Sequence, residues 1–364
     1  MKRMIAALCM TTMLLATCTA CAAAPAADQG GDTASTDAST EATNKIGLLT
    51  VLNMKEEESV AVGKQLDIAK QYLREKGYIT GDTQTEPPTV DQKQHIYFDT
   101  LDSMVMGLEA GTVNSISVPL STGKYLLANN DKLEMYGEMT LEDIEKIKQS
   151  GDMDVQMALD ATANGFAFMF SEKNKDLRDE FDKAIDEMQA DGTLDKLVET
   201  YIDNVSLDPI QFENNGSRTI KVAVTGSLPP MDYVAPDGTF AGFNTAILAE
   251  IGKRLGIHIE LVQTDSIGRA AALSSGTADA VFWTRVNLMT GLPDGKAPEE
   301  GEAPDKAMDD RRKSNPAGSN ELDELLEEMR KAIPPEVKEK MDMPEGTVVT
   351  DPYFRDINVG IKLK

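Results

Sequence analysis

Residues Thr219–Val281 read TIKVAVTGSLPPMDYVAPDGTFAGFNTAILAEIGKRLGIHIELVQTDSIGRAAALSSGTADAV. The apolar run Ile220–Val224 predicts a buried strand, and Gly226-Ser227-Leu228-Pro229-Pro230 ends it. Pro236-Asp237-Gly238 marks a hairpin turn. Ala241-Gly242-Phe243-Asn244 then opens a helix, which Gly256 stops. A second strand, a second helix and a third strand follow. Strands alternating with helices predict a mixed α/β fold around a largely parallel sheet.

Upstream, Lys45–Val51 reads as a buried strand. Asn53 with Glu56 has the spacing of a capping box for a helix to about Lys76. His95–Phe98 and Asn114–Val118 read as strands, Leu101–Leu108 as a helix capped by Thr100, and Ser121-Thr122 as the cap of another. An acidic stretch to about Ala163 shows no clear element. Gly165–Phe170 is then a strand followed by two helices. Past Arg285 lies an acidic, Pro-rich insertion, about 291–345, with one helical stripe (Leu322, Leu325, Leu326, Met329, Ile333) that suggests a cap over a cleft or a partner-docking helix. Asn358–Leu363 reads as the last strand.

The first twenty residues form a targeting segment: Lys2-Arg3, then a short apolar core from Met4 to Thr17. Small residues before a cysteine give a lipidation pattern. Cys21 has Thr19 and Ala20 before it, whereas Cys18 has the better-placed Leu15; the reading takes Cys21. All three cysteines (Cys9, Cys18, Cys21) lie in this segment, so a chain cleaved before Cys21 keeps no thiol for an internal disulfide or a nucleophile. Residues 21–44 are small and polar and read as a tether. A formal charge of −25, or −27 once Lys2 and Arg3 are removed, excludes nucleic acid as a partner.

Several stretches resemble the extracytoplasmic solute-binding proteins of ABC importers, of the polar-amino-acid type. Residues 219–281 look like the first half of that family's lobe one. YFDTLDSMVMGLEAGTVNSISV and STGKYLLANN, residues 97–118 and 121–130, look like its lobe two. GFAFMFSEKNKDLRDEFDKAIDEMQADGTLDKLVETYI looks like its return strand and closing helices, and GTVVTDPYFRDINVGIKLK like its first hinge crossing. The resemblance implies a type 2 periplasmic-binding-protein fold of two lobes with two hinge crossings, circularly permuted. Its parts would be a signal peptide (1–20), a lipid-anchored tether (21–44), lobe two (45–164), return strand and helices (165–202), a connector (203–218), lobe one with its insertion (219–350) and the outward crossing (351–364).

The function implied is capture of a small polar solute, amino-acid-like or a small carboxylate, by a monomeric receptor anchored to the cell membrane, for delivery to an ABC permease. The resemblance puts Ser227 and Met231 in the solute cleft, with Trp283, Thr284 and Arg285 as its wall, and Asp265 beside them. Arg285 is a candidate, displaced in sequence, for the family's carboxylate-pairing arginine, the alternative being a surface or structural ion pair. Asn53 and Ser121 mark helix N-termini of lobe two whose amides attract anions. The family's amine-binding Asp is replaced by Pro119. His95 and His258 sit in strand patterns and are expected to pack. No metal-ligand spacing, phosphate loop or catalytic triad emerges, so neither cofactor nor catalysis is expected. An enzyme on the same fold, such as a dehydratase, would need a buried acid, for which Asp265 is the only candidate. A ligand-sensing lipoprotein with no transporter is the other alternative.

Overall fold

The computed structural model describes residues 44–52, 56–79, 93–213, 216, 218–285, 319–332 and 344–364. Its first half alternates strand and helix: Asn44–Leu49 (β1), Glu56–Glu75 (α1), Lys93–Phe98 (β2), Leu101–Glu109 (α2), Ser115–Pro119 (β3) and Leu120–Asn129 (α3). Leu133–Tyr136 (β4), Leu141–Gln149 (α4) and Met153–Asp160 (α5) complete this lobe. Asn164–Ser171 (β5) then leads to Lys175–Ala190 (α6) and Thr193–Leu197 (α7).

The second half begins with Thr219–Val224 (β6) and a small hairpin sheet of Ser227–Leu228 (β7), Asp232–Val234 (β8) and Phe240–Ala241 (β9). Phe243–Leu255 (α8), His258–Gln263 (β10), Gly268–Ser274 (α9) and Ala280–Arg285 (β11) follow. Ser319–Lys331 (α10) belongs to the insertion. Thr347–Val349 (β12), Phe354–Asp356 (β13) and Asn358–Leu363 (β14) end the chain.

Two large sheets give the molecule its two lobes. Lobe two has the order β2-β1-β3-β14-β4, and lobe one has β10-β6-β11-β5-β12. The arrangement is the same in both. Three parallel strands come first, then one antiparallel strand that arrives from the other lobe, then a last strand antiparallel to it. The mixed α/β, two-lobed architecture expected from the sequence is present.

The two crossings run side by side. Arg355 and Asp356 of β13 pair with Gly165 and Asn164 of β5. Asn164 Nδ2 donates to Asn358 Oδ1 at 3.0 Å, and the Leu120 N–H donates to the Ile357 carbonyl at 2.8 Å. Behind them, Phe168 stacks on Tyr353 with ring centroids 4.9 Å apart, and the Tyr353 hydroxyl donates to Asn244 Oδ1 at 2.7 Å.

Period-2 alternation places large side chains on both faces of lobe one's sheet. Phe166, Phe168, Phe170 and Phe282 enter the main core with Phe181 of α6 and Phe243 of α8. Met169, Ala223, Val281 and Trp283 face the other way, with Leu273 of α9. Each such large apolar side chain contributes about 1.5–3 kcal/mol on burial.

The structure corrects several local expectations. The acidic stretch that looked featureless carries β4, α4 and α5. The α4 helix is opened by a capping box in which Thr140 Oγ1 accepts from the Asp143 N–H at 3.2 Å and Asp143 Oδ2 accepts from the Thr140 N–H at 3.0 Å. The helix assigned to Ser121-Thr122 begins one residue earlier, at Leu120, with Pro119 at its cap and no side-chain capping bond. His95 keeps a polar contact, its Nδ1 lying 2.9 Å from Glu56 Oε1.

The described part of the α10 apolar stripe is covered within the chain; the Leu322 side chain and Ile333 lie outside the described residues. Leu325, Leu326 and Met329 are buried, and the helix packs on α1 and α5 of lobe two. Lys76, just past the end of α1, pairs with Glu321 at the start of α10. Gln65, in the middle of α1, donates to the Met329 carbonyl at 3.2 Å. The two helices therefore run antiparallel. A segment that leaves lobe one after β11 and rejoins it at β12 thus lends a helix to lobe two.

Candidate functional site

Open α/β sheets bind ligands beyond the carboxyl ends of their parallel strands. Here those ends face each other. Thr50–Leu52, a 3-10 turn just past β1, touches β11, and α2 of lobe two touches β7 of lobe one. On the lobe-two side Tyr125 of α3 is near Tyr233 of β8. Burial first, and then that neighbouring phenol, push its hydroxyl pKa up.

Arg269, in the first turn of α9, lies at the junction. It is fully buried. Its Nε donates to the Ser266 carbonyl at 3.1 Å and Nη1 to the Phe282 carbonyl at 3.0 Å, both in lobe one. Nη2 donates to the Val51 carbonyl of lobe two, also at 3.0 Å. The Trp283 ring lies 4.9 Å from the guanidinium carbon, a cation–π distance. Burial pushes the guanidinium pKa down to about 10, with the Asp232 carboxylate acting the other way, so Arg269 is charged at neutral pH.

Asp232 shapes the loop after β6. Fully buried, its Oδ2 accepts from the Thr225 N–H at 2.9 Å and from Thr225 Oγ1 at 2.8 Å. Burial raises its pKa, opposed by the Gly226 and Thr225 donors and by the Arg269 charge.

Two helix N-termini at the cleft are already occupied by the protein's own acceptors. At α8 the Phe243 N–H donates to the Pro230 carbonyl at 2.9 Å, and the Asn244 N–H to the Met231 carbonyl at 2.8 Å. Gly242 permits this approach. Its φ is +95°, and a Cβ there would lie 2.6 Å from the Pro230 oxygen. At α3 the Ser121 N–H donates to Asp356 Oδ2 at 2.8 Å. Burial pushes the Asp356 carboxyl up to about 6, against the lowering effect of Ser121.

The residues singled out from sequence fall in different places. Ser227 is half-buried in β7, paired with Tyr233. Met231 is fully buried in the main core. Trp283 belongs to the smaller core cluster and offers its ring to Arg269. Thr284 is buried in β11 opposite Phe166. The backbone of Arg285 pairs with Gly165 at the crossing. Asp265 is exposed and accepts the Gly268 N–H at 2.6 Å at the start of α9. Asn53 and Cys21 lie outside the described residues.

Sequence reading missed Arg269 and Asp356. Arg269 lies in an Ala-rich helix beside Gly268, where a lone charge reads as solvated. The one available signal was its i+4 relation to Leu273, which puts it on the helix's inner face. Among the described residues, no group of three or more His, Cys, Asp or Glu side chains could hold a metal ion, and no helix is long and apolar enough to cross a membrane.

Residues 220–286 match the family model of bacterial extracellular solute-binding proteins, family 3. No curated protein sequence matches the chain. Among solved structures, NikA of Staphylococcus aureus with Ni(L-His)2 is similar at 12% identity and a TM-score of 0.33, over 74% of this chain and 57% of that one. The zinc-bound ligand-binding component of an ABC-type import system from S. aureus is similar at 9% identity and a TM-score of 0.33, over 88% and 65%. A phosphate-binding protein of a phosphate ABC transporter from Streptococcus pneumoniae TIGR4 is similar at 8% identity and 0.31, over 88% of each chain. The chain thus spans less than two thirds of the length of the first two.

Proposed function

We propose that this chain is an extracytoplasmic receptor that captures a small polar solute, amino-acid-like or a small carboxylate, between its lobes and delivers it to an ABC permease. The observation that carries the reading is the pair of sheets with one strand order, joined by two adjacent crossings, with a cleft whose residues come from both lobes. The family match over residues 220–286 supports it from sequence. The charged Arg269 at the junction favours a solute that carries an acceptor group, and Arg285 remains the proposed carboxylate partner. The receptor works as a monomer, tethered to the membrane by lipid on Cys21.

The same reading makes the chain a circular permutant, with lobe two first and the connector 203–218 joining the old ends. The position of β14 between β3 and β4, and of β5 between β11 and β12, supports it. Two truncated tandem copies would each leave those sheet edges unpaired.

A thermal-shift screen of purified protein against amino acids, short peptides and small carboxylates tests the receptor reading. A true solute at a hundred times its Kd stabilises by about 2.7 kcal/mol. A panel in which nothing raises the melting temperature would sink it. Incorporation of a clickable fatty acid, lost in Cys21→Ser and kept in Cys18→Ser, tests the anchor.

A further inference from the structure

We infer that Arg269 is a latch that holds the two lobes closed. The side chain is fixed on lobe one by two main-chain acceptors, the Ser266 and Phe282 carbonyls, and by the Trp283 ring beneath it. On the far side, the Nη2 bond to the Val51 carbonyl crosses to lobe two. A planar fork held in this way loses little freedom when the last bond forms.

The far acceptor is equally well placed to register lobe position. It is a main-chain carbonyl, not a rotatable side chain, and Val51 and Leu52 beside it are buried at 0% and 2% exposure. That turn moves only when lobe two moves. Opening the cleft must therefore break the Nη2 bond while leaving the other two intact. Closing it buries a guanidinium, a step that is unfavourable unless each polar face finds a partner. The Val51 carbonyl supplies one in the closed arrangement alone. Arg269 thus acts as a positioning residue for closure.

This inference depends on the two-lobed architecture and not on solute capture, and its test needs no solute. Fluorophores are placed through bio-orthogonal amino acids at Met106 on α2, 68% exposed, and at Lys253 on α8, whose side chain is 59% exposed. The distance between them is read by single-molecule energy transfer in the full chain. The wild-type protein is expected to give one narrow population. R269M, which removes charge and donors, should shift it by several ångströms and broaden it. R269K, which keeps the charge but cannot bridge three carbonyls, should do the same to a lesser degree. Unchanged distances in both variants, with native circular dichroism, would overturn the latch. If R269M does not fold, R269K decides by the same criterion. A structural role for Arg269 alone would lower the melting temperature and leave the probe distance where it was.

Discussion

The carboxylate of Asp356, in the crossing between lobes, accepts the backbone N–H of Ser121 at the start of α3, 235 residues away in sequence. A chain-crossing residue thereby caps a lobe-two helix whose own cap position is Pro119, which offers no side-chain acceptor. The free amide expected at this helix as a seat for an anion is filled from within the protein, so α3 begins with a carboxylate already in place.

That arrangement makes stability depend on pH in a defined direction. A carboxyl whose folded pKa lies above its unfolded value contributes stability that is complete at low pH and is lost as pH rises through the folded value. Asp356, at about 6, is in this class. Asp182 of α6 is another: it accepts the Asp351 N–H at 2.7 Å, and burial first, then the neighbouring Asp351 and Asp186 charges, raise it to about 7. The stabilising effect of both is therefore full below about pH 4 and fades between about pH 4 and 7. D356N keeps an acceptor for Ser121 and should flatten the lower part of that decline, by about 3 kcal/mol at the limit. D182N should flatten the upper part by less, because its side chain is partly solvated. Urea denaturation at pH 4 and pH 8 checks both; variants as pH-dependent as the wild type would refute the assignment.

Gly242→Ala should destabilise the chain by about 1–3 kcal/mol, the scale of a strained left-handed residue. The added methyl would strike the Pro230 carbonyl that accepts the first amide of α8. Hydrogen exchange at Phe243 and Asn244 should rise in the variant, and exchange at the wild-type rate would contradict this account.

Met329→Ala should cost about 2–5 kcal/mol, as for a buried methionine truncated in a packed core. Met329 has no exposed surface and sits where α10 meets α1 and α5. Protease cleavage within residues 319–331 should speed up in the variant. A loss below about 1 kcal/mol would mean that the site collapses around the gap.

The strongly periodic segments were legible in sequence. The β6-to-β11 stretch, the Thr100 cap and the last strand follow from local apolar spacing and turn chemistry, which act over a few residues. The α4 helix was hidden because Glu142, Asp143, Lys146 and Lys148 dilute an apolar face reduced to Ile144 and Ile147. The Thr140–Asp143 capping box was the available clue. The site was less legible than the fold for a physical reason. Arg269 meets Val51 from 218 residues away, and no local pattern encodes a contact of that span. Met231 and Trp283 are buried in core clusters, and a large apolar side chain gains from burial wherever it sits, so their type alone does not tell core from cleft wall.

The position of β14 also sets a timetable. Most of lobe two is encoded before lobe one, yet the strand between β3 and β4 is made of Asn358–Leu363, which follows all of lobe one. Until Asn358–Leu363 is in place, β3 and β4 each present an unpaired edge open to pairing with another chain. Loss of Asn358–Leu363 would therefore harm lobe two, whose other strands are all encoded before lobe one.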